Sequence, residues 1–271
     1  MFKRLCPFLL TAAIAATWSF TSRAAETPSL EEIVRKTNRQ AYYQGQDGKA
    51  RVKMTITDKQ GRTRTKEFTI LRLDVGEDDK AQKFYVFFHE PADERGTVFM
   101  VHKHVDRDDD RWLYLPALDV VKQIAASDER TSFVGSHFFY EDVSGRGIEE
   151  DAHELIEVTD HYFVVKNTPR KPEAVEFDSF TMWIHKATFI PVEVKFEKGG
   201  VVYRTVNALK VEDVAASGGA SYKTVTQSRM TDENIGGNTL LEYTSVQYDI
   251  GIEEETFTER FLRNPPRKYL D

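Results

Sequence analysis

Residues 82–115 read QKFYVFFHEPADERGTVFMVHKHVDRDDDRWLYL, three short apolar runs divided by turn signals at Pro91-Ala92-Asp93 and at Asp106 to Asp110. Runs this short, rich in Phe, Tyr, Val and Trp and bounded by Pro, Gly and Asp, predict strands, because aromatic and β-branched side chains suit a pleated surface. Their period is two, yet both phases are apolar. Phe84, Val86 and Phe88 alternate with Tyr85 and Phe87, and Trp112 and Tyr114 with Leu113 and Leu115. A sheet wetted on one side alternates apolar with polar. These strands are therefore covered on both faces, or one face lines an apolar cavity.

The same pattern extends in both directions. Upstream, Val52, Met54 and Ile56 alternate with Lys53, Thr55 and Thr57; Lys59-Gln60-Gly61 turns the chain, and Phe68 and Ile70 follow. Downstream, 119–125, 154–158, 161–167, 177–185, 190–197, 201–212, 220–230 and 238–249 read as strands. Strands at roughly ten-residue spacing predict an antiparallel barrel, half-barrel or sandwich. No long polar linker, repeat or low-complexity tract divides them, so one domain is expected. Residues 127–151 break the alternation and read as a long, aromatic-rich loop carrying a short helix; loops of that length are usually functional. Ahead of the strands, Ser29-Leu30-Glu31-Glu32 is a capping box, and Leu30, Ile33, Val34, Thr37 and Ala41 form one apolar stripe of a helix that Gly45 to Gly48 ends.

The N-terminus has the form of a secretory signal: Lys3 and Arg4, a mostly apolar stretch from Leu5 to Phe20, then Ser22-Arg23-Ala24. Cys6 precedes the apolar run, so this is no lipobox. The expected division is residues 1–24 as signal peptide and 25–271 as mature domain. Removing Lys3, Arg4 and Arg23 leaves 34 basic against 44 acidic side chains, so the net charge moves from −7 to −10, and no cysteine remains. An acidic chain without clustered Lys and Arg excludes nucleic acid as a partner.

Catalytic patterns are missing. There is no Gly-x-Ser-x-Gly elbow, Walker loop or His-Glu-x-x-His. Asp106, Asp108 and Asp110 have the spacing of a calcium loop, but Arg111 and Ala117 stand where its glycine and bidentate glutamate belong. His102 and His104 share a strand face without a third ligand and read as a solvent-facing edge pair. Glu141, Asp142 and His137 are the candidates were the protein an enzyme, and Glu149-Glu150-Asp151 is a further acidic run, but no nucleophile–base–orienter set is legible. No catalytic residue, metal or cofactor is expected.

The run Arg111-Trp112-Leu113-Tyr114-Leu115-Pro116-Ala117-Leu118, then Val121 and Ile124, then Phe133-x-Gly135-Ser136-x-Phe138-x-Tyr140-Glu141-Asp142, resembles the LolA-like outer-membrane lipoprotein-sorting proteins of Gram-negative bacteria. The capped helix, the strand series and Phe257-Thr258-x-x-x-Leu262 fit the same pattern. The chain departs from it at Asp119-Val120, where basic residues are common, and at His137, where Asp is common. The resemblance implies a mainly β fold: a single curved antiparallel sheet, a half-barrel of about 11 strands, with helices closing the concave face. It further implies a periplasmic carrier of lipid or lipoprotein acyl chains. The carrier would be a monomer in transient contact with membranes and served by an inner-membrane exporter of the resistance-nodulation-division (RND) type. The competing reading is a sensor or adaptor on the same fold without transport. The cavity candidates are Met54, Ile56, Phe84, Val86, Phe88, Met100, Trp112, Tyr114, Phe138, Tyr140, Met182 and Ile184; the phase of the doubly apolar strands stays open.

Overall fold

The structure, a computed structural model, describes residues 27–76, 81–104, 107–125 and 131–270. The expected signal peptide, Cys6, Asp106 and the first residues of the 127–151 insert lie outside them. Among the described residues, thirteen strands form one antiparallel sheet, two more than the resemblance implies. They are β1 (Asp47–Asp58), β2 (Thr63–Val75), β3 (Ala81–Glu90), β4 (Val98–Lys103), β5 (Asp110–Leu115), β6 (Val120–Ile124), β7 (Asp151–Val158), β8 (Tyr162–Pro169), β9 (Ser179–His185), β10 (Pro191–Lys198), β11 (Val201–Ala215), β12 (Ser221–Asp232) and β13 (Gly237–Tyr248). The order β6-β5-β4-β3-β2-β1-β13-β12-β11-β10-β9-β8-β7 describes two meanders joined where β1 pairs with β13. The sheet stays open, with β6 and β7 at its edges.

Those two edge strands are consecutive in the chain, so their connection must cross one face of the sheet. The crossing reveals the curvature. Tyr140 packs on Phe99 of β4, with ring centroids 4.8 Å apart, while Asp142 pairs with Arg204 of β11 at 2.5 Å. β4 and β11 are six strand spacings apart, about 29 Å in a flat sheet. Residues two positions apart can touch both only if the sheet curls around them. The face so enclosed is called the inner face.

Ahead of β1 runs the helix α1 (Leu30–Tyr42), and the crossing segment contains a 3-10 turn at Phe133–Gly135 and the helix α2 (Tyr140–Ser144). Ser29 caps α1, its Oγ accepting from the Glu32 amide at 3.2 Å. The Glu32 carboxylate pairs with Lys36 at 2.6 Å. Ile33 and Val34 are buried against Phe163, Val165 and Ile184, which seats α1 on β8 and β9.

The doubly apolar strands are covered on both faces. Phe84, Val86 and Phe88 belong to the inner cluster with Met54, Phe68, Phe99, Phe133 and Tyr140. Tyr85, Val98 and Met100 belong to an outer cluster roofed by Ile252, Phe257, Leu262 and Tyr269 from the C-terminal segment. That segment includes the short helices α3 (Arg260–Arg263) and α4 (Arg267–Leu270). Tyr85 donates its hydroxyl to the Phe261 carbonyl at 2.7 Å. His102 corrects the expectation of a solvent-facing edge pair: β4 is an interior strand, the His102 ring packs on Trp112, and its Nε2 donates to the Phe257 carbonyl at 2.7 Å. His104 instead meets Asp110 at 2.9 Å. Where β13 hands over to this roof, the buried Asp47 carboxylate accepts from the amides of Ile250, Gly251 and Ile252 at 2.8, 2.9 and 3.0 Å.

Candidate functional site

The inner face encloses a cavity of about 340 Å³, within the range of small-molecule pockets. β1 to β3 supply one wall with Ala50, Met54, Phe68, Ile70, Phe84 and Val86. β11 and β13 supply the facing wall with Val206, Ala208, Leu241, Tyr243, Val246 and Tyr248. The crossing segment closes one end with Phe133, Phe138 and Val143. The ring of Phe133 stands 6.3 Å from Phe68, 6.3 Å from Phe88 and 5.6 Å from Phe99, forming an aromatic plug.

Buried charges fix that plug. Arg204 of β11 reaches Asp142 and lies 3.7 Å from the Phe139 ring centroid. Arg146 gathers Glu141 at 2.8 Å, Asp151 at 3.1 Å and Glu150 at 3.2 Å. Lys66 donates to the carbonyl of Val134 at 2.5 Å and pairs with Glu94 at 2.7 Å. Gly145 lies against the Tyr42 ring, where a Cβ would come within 2.8 Å, and its φ of +73° also calls for glycine. The carboxylates Glu141 and Asp142 are therefore held in ion pairs with arginines. His137 sits in a closed network: its Nε2–H donates to the Gly236 carbonyl at 3.2 Å, and its Nδ1 accepts from the Thr239 hydroxyl at 2.8 Å. Burial pushes the Tyr42 phenol well above its ordinary range, with Asp142 and Glu141 adding to the effect, and pushes Tyr243 up to about 12. Both phenols stay neutral at physiological pH.

The other side of the cavity is closed by the last turn of α1. Gln40 and Gln44 both donate their side-chain amides to the Lys223 carbonyl of β12, at 2.6 and 2.7 Å. The carbonyl of Tyr42 accepts from Arg72 at 2.7 Å and from Gln82 at 2.8 Å, and Arg72 also reaches the carbonyls of Gln44 and Gly45. The Lys223 carbonyl of β12, Arg72 of β2 and Gln82 of β3 thus hold the end of α1 over the cavity.

Of the cavity candidates, Met54, Phe84, Val86 and Phe138 line it. Ile56, Phe88 and Tyr140 pack in the same inner cluster without lining it. Met100, Trp112 and Tyr114 pack on the outer face under the C-terminal segment. Met182 and Ile184 lie beneath the beginning of α1. Sequence reading missed the α1 end and the β13 wall. On β13 the period-two signal runs through Leu241 and Tyr243, slips at Ser245, whose φ is +54°, and resumes at Val246 and Tyr248. Among the described residues, no group of three or more His, Cys, Asp or Glu could hold a metal ion, and no helix is long and apolar enough to cross a membrane.

A protein-family model described as an uncharacterized protein matches residues 80–264, more than half of the chain. No curated protein matches it. Three solved structures are similar along their full length, each over 87% of this chain. A DUF1329 family protein from Desulfovibrio piger has 24% identity and a TM-score of 0.76. A putative outer membrane lipoprotein-sorting protein domain from Vibrio parahaemolyticus has 26% and 0.75. A LolA superfamily protein from Nitrosomonas europaea has 16% and 0.64. The chain belongs to the family that this model describes, and its fold is that of the LolA-like outer-membrane lipoprotein-sorting proteins.

Proposed function

We propose that this protein is a periplasmic carrier that holds the acyl chains of a lipid or lipoprotein in the inner cavity and moves them between membranes. In this reading residues 25–271 act as one domain after loss of residues 1–24, as a monomer in transient contact with membranes, and an RND-type exporter of the inner membrane is the partner. The observation that carries it is the cavity itself, walled by Met54, Phe68, Phe84, Val86, Phe138 and Leu241 and closed by a helix held through a few polar contacts. Shielding an acyl chain from water is worth ~0.8 kcal/mol per CH₂. Sequestering ten or more methylenes therefore outweighs any one polar contact, and a carrier needs no catalytic group.

Similarity to a putative lipoprotein-sorting domain supports the choice of cargo class. Native mass spectrometry of protein released gently from the periplasm tests it, with lipid expected in the retained mass. A clean unliganded spectrum, together with no lipid transfer between vesicles, overturns it. A single stable membrane partner in crosslinked cells, with no lipid exchange, selects the sensor or adaptor instead.

A further inference from the structure

Three phenols stand in the mainly apolar lining of the cavity: Tyr42 from the last turn of α1, and Tyr243 and Tyr248 from β13. Their hydroxyls are not in the same condition. That of Tyr248 shares a hydrogen bond with the Thr224 hydroxyl at 3.0 Å, so the protein itself satisfies it. Those of Tyr42 and Tyr243 have no hydrogen-bond partner among the described residues; the long-range bonds of Tyr42 run through its main-chain carbonyl, which accepts from Arg72 and Gln82. Both rings are held in place. The hydroxyl half of the Tyr42 ring lies over Gly145 at the end of α2, where a Cβ would come within 2.8 Å of Cζ. Tyr243 faces the cavity from β13, opposite Val52 of β1 and two residues beyond Leu241 on the same wall. Tyr243 also adds to the upward push that burial, Asp142 and Glu141 exert on the Tyr42 phenol, so the two lie within electrostatic reach of each other.

A buried hydroxyl without a partner costs free energy, and the cost is recovered only when an acceptor arrives. The charged groups of the lining are already occupied. Arg72 holds the carbonyls of Tyr42, Gln44 and Gly45 together with Asp74, Asp142 is paired with Arg204, and Lys49 also has a partner. An anion entering here would meet the Asp142 and Glu141 carboxylates without a free cation to balance it. The acceptor that suits two phenol donors in this setting is an uncharged oxygen.

We propose that the Tyr42 and Tyr243 hydroxyls both donate to the carbonyl oxygen of the ester or amide that joins an acyl chain to its head group. A carbonyl oxygen has two lone pairs and accepts both bonds. Tyr42 belongs to the closing helix and Tyr243 to the wall, so the shared acceptor ties the end of α1 down once the linkage, and not only the hydrocarbon, has entered. This inference rests on the carrier reading and narrows its cargo to acyl esters and amides, as against ethers, free hydrocarbons and fatty acid anions.

1-Dodecanoylglycerol, its ether counterpart 1-dodecylglycerol, and dodecanoate separate the terms, with binding to the purified protein measured by calorimetry. The ester is expected to bind roughly ten-fold tighter than the ether, the gain of two neutral hydrogen bonds. Tyr42→Phe/Tyr243→Phe should erase that preference, leave affinity for the ether unchanged, and melt at or above the native temperature, because neither hydroxyl has a protein partner to lose. Dodecanoate should bind no tighter than the ester. Equal native affinity for ester and ether overturns the inference and leaves the carrier reading standing. An ester preference that survives in the double variant, or a double variant that melts well below the native chain, overturns the assignment to these two hydroxyls. Dodecanoate binding tighter than the ester overturns it in favour of an anionic head. Binding of none of the three overturns the carrier reading as well.

Discussion

Arg204 and Asp142 form an ion pair of 2.5 Å that ties β11 to α2, with the guanidinium 1% exposed and the carboxylate 18%. It joins the middle of one meander to the segment that crosses from the other, so it fixes the aromatic plug against the curl of the sheet. Asp142→Ala leaves a buried guanidinium without its counter-charge, and such changes cost about 3–5 kcal/mol. Urea unfolding should show that loss in the midpoint. A change under about 1 kcal/mol would mean that the plug is held by its aromatic packing alone.

Asp47 provides three acceptor contacts at the point where β13 becomes the outer roof. Asp47→Ala strands three amides, and a loss of about 3 kcal/mol is expected from hydrogen bonds to a charged acceptor. The loss should be local in kind. Limited proteolysis is expected to cut first within 250–270, and a dye for exposed apolar surface should bind as Met100, Trp112 and Tyr114 lose their cover. Cleavage that starts within residues 131–150 would contradict this division of labour.

Stability should fall in two separate windows as pH drops. Burial pushes His102 below its ordinary range, although its bond to the Phe257 carbonyl opposes the shift. The unfolded chain then takes up the proton first, so the contribution is complete above about pH 6.5 and declines as pH falls from there. Asp110 behaves in the lower window. Its bond to Arg107, with His104 assisting and burial opposing, holds its pKa at about 2. Its contribution is complete above about pH 3.9 and is lost as pH falls toward the folded value. Melting temperatures of the native chain and of His102→Asn between pH 7 and 5 check the first window; identical slopes would rule out His102 as its source.

The two faces of the sheet should separate by mutation. Ala208→Phe puts a ring into the cavity from the β11 wall and is expected to lower acyl-chain binding at least ten-fold while leaving the melting temperature nearly unchanged, since the space is already there to receive it. Trp112→Ala removes part of the outer cluster and should cost about 2–3 kcal/mol, below the cost for a fully buried ring because Trp112 is only half-buried. Its retained lipid per folded molecule should match the native chain. Loss of lipid from Trp112→Ala alone would place the ligand on the wrong side of the sheet.

The strands and α1 were legible because their signals are local. Ser29 caps the helix where the capping box lies, the turn at Lys59-Gln60-Gly61 joins β1 to β2, and the apolar runs at 82–88, 97–102 and 111–115 fall within β3, β4 and β5 or overlap them closely. The departures from the family pattern also gain a place. Asp119 pairs with Arg263 at 3.0 Å on the C-terminal segment, and His137 packs into the Thr239 network. The α1 wall of the cavity was not legible, because Gln40 and Gln44 show no apolar pattern and acquire their role from a carbonyl 183 and 179 residues away.

The amino-acid sequence by itself determined the antiparallel strand series, the capped helix and the presence of two apolar faces on β3 and β5, since all three follow from periods of two and 3.6 and from turn chemistry. Only the tertiary structure decided which face became a cavity and which a sealed core. Alternation puts Phe84 and Tyr85 on opposite sides but carries no information about what covers either. The covers come from far along the chain: Phe261 reaches Tyr85 across 176 residues, whereas Phe133 and Phe138 reach the inner face from the crossing segment. The outer roof packs Ile252, Phe257, Leu262 and Tyr269 directly on Tyr85, Val98 and Met100. On the inner face the crossing segment closes only one end, and the space left between the β1 to β3 wall and the β11 and β13 wall is the cavity.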